Sequence, residues 1–306
     1  NDIIKSIQKT FSDIESNYTN NGIETKKVSK GIDNLISNLA SSPEVGANFQ
    51  GKIYNTITRG ARKGKYYINS AASGTGKTRT LIGDACHIAY PVRYDIYSGK
   101  WIQDGDSEKV LFIATEQDIG EVQTMILSYL TNINEEKILL SNFSDSEREL
   151  IDKAILVIKQ YEDNFLIVQM PDPTSSGLKA VVRQNYLNNN IQNLFYDYIF
   201  SGPALLTEFR DIKIREDVAL RILSTTLKEL AVELQIFVAS ATQITEPQDS
   251  GRKGGIKNQQ YIRGSKSIID KADIGCNTTD ICFINNILEV LRVLLIKQIS
   301  VVLLLL

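Results

Sequence analysis

The chain has 306 residues, 42% hydrophobic and 23% charged, with 19 glycines and 6 prolines. That make-up belongs to a folded globular protein with a sizeable core and excludes collagen-like and wholly disordered chains. With 34 basic against 36 acidic side chains the net charge is −2, so no whole-molecule field draws the chain to nucleic acid or membrane. Any nucleic-acid site must therefore be a local patch. Cys86, Cys276 and Cys282 lack the paired short spacing of a tetrahedral zinc site, and their odd number suits a reducing, cytoplasmic location. The lone histidine, His87, sits in an apolar helical stretch and reads as a packing residue.

In chain order, the opening lacks the basic-then-apolar pattern of a secretory leader. Ile3, Ile7, Phe11, Ile14 and Tyr18 fall on one helical stripe, which Asn20, Asn21 and Gly22 break. Residues 1–22 are expected to be an appended helix, folded back on its own domain or docked on a neighbouring subunit. Residues 23–306 are expected to form one domain.

From Lys65 short apolar runs alternate with helical patterns. KYYINS precedes a helix from Lys77, KVLFIA one from about Asp118, and NFLIVQ one from about Gly177. NLFYDYIF, a long helix from about Ile214 and QIFVAS continue the series. Such alternation predicts an α/β fold, a mainly parallel twisted sheet with helices on both faces, whose ligands bind at the carboxyl ends of the strands. Segments 91–108 and 132–163 read as insertions, the second helical. The stretch from Ile287 to Leu306 is apolar enough to span a bilayer but carries Glu289, Arg292, Lys297 and Gln298. A charge near the centre of a span costs roughly 2.5–3.5 kcal/mol, so buried strands are expected there and no membrane anchor.

After KYYINS comes Ala71-Ala72-Ser73-Gly74-Thr75-Gly76-Lys77-Thr78, then a helix. Strand, glycine-rich loop and helix N-terminus together make a cradle for phosphate, formed by backbone N–H groups and the positive end of the helix. Lys77 would reach the β- and γ-phosphates and the Thr78 hydroxyl would bind Mg²⁺, so a nucleoside triphosphate with Mg²⁺ is the expected ligand. Residues 73–79, from Ser73 to Arg79, form the candidate nucleotide-binding set. A hydrolase also needs a carboxylate for the metal and another for the attacking water. Asp197 interrupts the apolar run from Leu194 to Phe200, where burial of a carboxylate calls for a cation, and Mg²⁺ is the candidate. A strand-end ion pair is the plainer reading. Glu116 follows KVLFIA and Thr115 and can deprotonate water, or simply be a solvated turn carboxylate. Gln243 ends the strand QIFVAS-ATQ and can sense the γ-phosphate, or be an ordinary loop amide. Between Ser250 and Ser267 stand Arg252, Lys253, Lys257, Arg263 and Lys266 with no acid and several glycines. Such a loop suits a nucleic-acid backbone, though its composition is equally that of a solvated loop.

These pieces in this order resemble the RecA-like motor domain of the DnaB-type replicative helicases. SAASGTGKT is similar to the family's phosphate loop, FIATEQ to its strand ending in a catalytic Glu, YDYIF to its metal-binding strand and ASATQIT to its sensor strand. RGSKSIIDKADIG is similar to its inner DNA-binding loop and the strand that follows. The resemblance covers about Gly31 to Asp280 and implies that the triphosphate is ATP and the chain an ATPase that forms a six-membered ring on single-stranded DNA. Lys77, Glu116, Asp197 and Gln243 would be catalytic. Arg263, Gly264 and Lys266 would touch DNA, with Arg252 and Lys253 nearby. Residues 1–18 resemble the family's linker helix, and a replication initiator or primase is an implied partner. Gly264 stands where the family carries an acid, and Ile299 where it carries an arginine finger. A non-unwinding ATPase switch and an inactive structural ring are the alternatives to a motor.

Overall fold

The computed structural model describes residues 27–29, 32–41, 44–72, 74–208, 215–243 and 266–277. The chain divides into two units, Asn1–Glu44 and Val45–Leu306. In the first, helix α1 (Ile32–Ser41) places Ile32, Leu35, Ile36 and Leu39 at helical spacing. The helix expected within residues 1–22 and the strands expected within 287–306 lie outside the described residues.

The second unit runs α2 (Lys52–Thr58), β1 (Tyr66–Ala71), α3 (Lys77–Ala89), β2 (Val92–Asp95), β3 (Lys100–Gln103), β4 (Val110–Ala114), α4 (Ile119–Thr131), α5 (Glu135–Leu139), α6 (Asp145–Gln160), β5 (Phe165–Gln169), α7 (Ser175–Asn189), β6 (Asn193–Asp197), α8 (Pro203–Thr207), α9 (Glu216–Leu234), β7 (Phe237–Gln243) and β8 (Ile274–Asn277). Six of these strands form one sheet in the order β5-β4-β6-β7-β1-β8, and every neighbouring pair is parallel. Parallel strands need crossovers, and the helices between them supply these on both faces. The insertion at 91–108 is a β2–β3 hairpin, and that at 132–163 holds α5 and α6.

Side chains alternate across the sheet with the period of two that a strand imposes. Tyr67, Val110, Phe112, Ala114, Phe195, Phe237 and Ala239 face one core, filled by Leu81, Ile82 and Ala85 of α3 and by Val122 and Ile126 of α4. Tyr66, Ile68, Leu111, Ile113, Leu194, Tyr196 and Val238 face the other, filled by Leu178 and Val182 of α7 and by Leu223, Leu227 and Leu230 of α9. The sheet is thus apolar on both sides, and the near-continuous hydrophobic strands of the sequence follow from that. His87 is buried on α3 with Nδ1 2.7 Å from the Tyr129 hydroxyl, a satisfied packing position.

Candidate functional site

The carboxyl ends of β1, β4, β6 and β7 lie side by side. From β1 the chain turns through the loop 72–76 into α3. Gly74 and Gly76 hold φ of +73° and +88°, the left-handed region, although a Cβ at either would meet no atom within 4 Å. Backbone conformation, not crowding, therefore demands glycine at both. Gly76 is the N-cap of α3, so the helix begins at Lys77 itself and its first N–H groups face the loop. Ser73 lies outside the described residues. The Lys77 ammonium folds back and donates to the carbonyl oxygens of Ala72, at 3.2 Å, and Ala71, at 3.5 Å. Arg79 is committed elsewhere, its guanidinium forming a two-pronged pair with Glu135 at 2.7 and 2.8 Å.

Strand register brings the carboxylates in. Ala114, the last residue of β4, pairs with Asp197, the last of β6. Thr115 staples the two ends: its N–H and its hydroxyl both donate to the Asp197 carbonyl, at 2.9 and 2.7 Å. The same hydroxyl accepts from the Tyr198 N–H at 3.2 Å. Glu116 follows at once, two residues before Asp118, which caps α4 through a reciprocal capping box with Glu121. The Tyr198 hydroxyl donates to Glu116 Oε1 at 2.9 Å. On the other side β7 pairs with β1 so that Gln243 stands opposite Ala71, at the mouth of the loop.

Asp197 is 1% exposed, and neither carboxylate oxygen has a hydrogen-bond partner. Burial raises its pKa to about 6. The Thr78 hydroxyl and the Lys77 charge draw it down while Glu116 pushes it up. Thr78 is close enough to act on the carboxylate yet outside the geometry of a formed hydrogen bond, so both oxygens remain orphaned. Burial lowers the Lys77 pKa, and Asp197 and Glu116 both oppose that. One lysine thus feels both acids, which places the three groups close together. A buried carboxylate without partners beside a threonine hydroxyl is a donor set for a hard divalent cation.

Of the residues singled out in the sequence, Lys77, Thr78, Glu116 and Asp197 meet here, with Gln243 at the adjoining strand end. Lys266 opens the short 3₁₀ segment Lys266–Lys271 before β8. Arg252, Lys253, Arg263 and Gly264 lie outside the described residues. Thr115 and Tyr198 were not singled out by sequence reasoning. A hydroxyl directly after the apolar run FIA was a signal for the first, and a phenol directly after Asp197 a signal for the second.

The model of the DnaB-like helicase C terminal domain matches residues 49–277, from just before α2 to the end of β8. The chain belongs to that family. This DnaB-like domain is 32% identical over 248 residues to the SPbeta prophage-derived uncharacterized protein YorI of Bacillus subtilis, a match covering 80% of the chain and 49% of YorI. It is 24% identical over 275 residues to the replicative DNA helicase DnaB of Buchnera aphidicola, covering 87% of the chain and 54% of that helicase. The chain thus spans about half the length of these curated relatives. Among solved structures, one ATPase domain superposes with a TM-score of 0.64 at 17% identity, covering 82% of this chain and 83% of that one. A DnaB-like replicative helicase studied with its primase superposes with a TM-score of 0.61 at 16% identity, covering 89% of this chain and 61% of that one. At those identities the likeness is one of fold, and the fold is the RecA-like α/β architecture that the motif order implies. Among the described residues no helix is long and apolar enough to cross a membrane.

Proposed function

We propose that this DnaB-like domain is an ATP-dependent helicase motor that hydrolyses ATP with Mg²⁺ as a hexameric ring on single-stranded DNA during replication, in the cytoplasm. The observation that carries the reading is Asp197: a buried carboxylate whose two oxygens are orphaned, within electrostatic reach of Lys77 and Glu116. Leaving a carboxylate so placed costs stability and is explained by a charged ligand that completes it. Asp197 and Thr78 would hold Mg²⁺, which when bound supplies positive charge against the phosphates. The N–H groups of residues 74–78 would line the phosphates, and Lys77 would exchange its two carbonyl contacts for phosphate oxygens. Glu116 would take a proton from the attacking water as its oxygen bonds to the γ-phosphorus and the bond to the bridging oxygen breaks, giving ADP and phosphate. Gln243, fixed by register beside the loop, would read the loss of the γ-phosphate. It ends the strand that leads into the basic segment with Arg252, Lys253, Arg263, Gly264 and Lys266, proposed to hold the DNA backbone. A primase or a replication initiator fits as a further partner, since one structural neighbour is described with its interactions with primase.

The test is ATP hydrolysis with and without single-stranded oligonucleotide. The parental chain should be stimulated by the oligonucleotide, Lys77→Ala should be inactive, and Glu116→Gln should bind nucleotide but turn over at least ~100-fold more slowly. Both variants hydrolysing at the parental rate would overturn the reading.

A further inference from the structure

Glu116 is exposed at the end of β4. A glutamate has three rotatable side-chain bonds, and holding it in one rotamer costs entropy that something must offset. A general base nevertheless has to be within hydrogen-bond reach of its water in one orientation.

We propose that Tyr198 is the positioning residue for Glu116, its phenolic hydroxyl clamping one carboxylate oxygen so that the other is presented to the attacking water. The phenol donates a hydrogen bond to this carboxylate, at 2.9 Å to Oε1. The tyrosine is itself fixed at both ends. Its N–H donates to the Thr115 hydroxyl, and its ring packs against the core behind the sheet and against Phe200, centroids 5.8 Å apart. Main chain and side chain of Tyr198 are therefore tied to successive residues, Thr115 and Glu116. A tyrosine loses little rotamer freedom when ordered, which suits it to orienting a flexible acid. Because Tyr198 directly follows Asp197, one short turn carries both the carboxylate assigned to the metal and the group that orients the base. Tyr198 also lines a cleft of about 200 Å³ with Thr242 and Gln243, so the clamp borders the strand assigned to sensing.

This inference rests on the reading of Glu116 as the base. Its test is Tyr198→Phe, which keeps the ring and removes the hydroxyl. A charge-assisted hydrogen bond at a partly exposed site predicts a fall in kcat on the order of tenfold, with the KM for ATP and the thermal midpoint unchanged. In a Glu116→Gln background the same substitution should cost nothing further, because the tyrosine acts through the carboxylate. Parental or faster turnover in Y198F overturns the proposal, as does a rise in KM matching the fall in kcat, or an undiminished further loss in E116Q. A parental chain without any turnover would defeat the functional reading instead. The crystal structure of Y198F then still decides the point: a Glu116 carboxylate in its parental place overturns the clamp, and a displaced one sustains it.

Discussion

Replacing Asp197 by Asn separates the energetic cost of the site from its chemistry. The carboxylate is 1% exposed and unpartnered, and burial moves its pKa from 3.8 to about 6. Because the folded value lies above the unfolded one, the folded chain holds this proton more tightly, and ionisation of Asp197 subtracts stability. The loss begins near pH 4 and is complete above about pH 6. A gap of about two pH units corresponds to about 3 kcal/mol at neutral pH. An asparagine in the same place carries its own unpaired polar atoms, but that cost does not vary with pH and cancels when one protein is compared at two pH values. Urea unfolding at pH 4 and pH 7 should therefore show wild type losing about 2 kcal/mol of stability relative to Asp197→Asn as the pH rises, since part of the loss is already present at pH 4. Added Mg²⁺ and nucleotide should restore stability to wild type at pH 7 and do much less for the variant, since a ligand that binds the folded state stabilises it by mass action. Parallel pH profiles for the two proteins would refute the claim that Asp197 is held at an electrostatic cost.

Two further outcomes follow from the same geometry. Thr115→Val should remove the hydroxyl that joins the ends of β4 and β6, leaving the Tyr198 N–H without its acceptor; a stability loss of about 1–3 kcal/mol by urea unfolding is expected, together with slower turnover. Neutralising Arg252, Lys253, Arg263 and Lys266 together should weaken oligonucleotide binding and flatten its dependence on salt concentration, read by anisotropy over a salt series; an unchanged slope would remove that segment from the DNA-binding surface.

The strands and the phosphate loop were legible in the sequence because each carries a local signature. Gly74 and Gly76 must be glycine for their φ values, and the largely apolar runs YYINSA and VLFIA are buried on both faces because the sheet is covered on both. Asp197 stood out for a physical reason as well, since a carboxylate inside NLFYD is costly unless a cation meets it. What the sequence withheld depends on register. That Thr115 reaches the Asp197 carbonyl and Tyr198 reaches Glu116 follows from the pairing of Ala114 with Asp197, and no local pattern encodes which strands become neighbours across 82 residues of separation. Helix α1 has only a weak signature in the sequence. Its apolar positions at Ile32, Leu35, Ile36 and Leu39 lie in a helix of only ten residues, among polar ones, and the division of the chain at Glu44 lies beyond it. The sequence marks 91–108 as an insertion without announcing its hairpin, because the turn, with Gly99 at φ +65°, joins strands of only four residues.

The central claim is that a nucleotide's terminal phosphate is held at Lys77 with Asp197 and Glu116 turned towards it. A crystal structure of the chain with Mg²⁺ and a non-hydrolysable ATP analogue tests it most directly. The Lys77 ammonium should leave the carbonyls of Ala71 and Ala72 for the β- and γ-phosphates, and the orphaned oxygens of Asp197 should face the cation. A nucleotide bound away from the loop, or a lysine still resting on those two carbonyls beside an occupied site, would contradict the account.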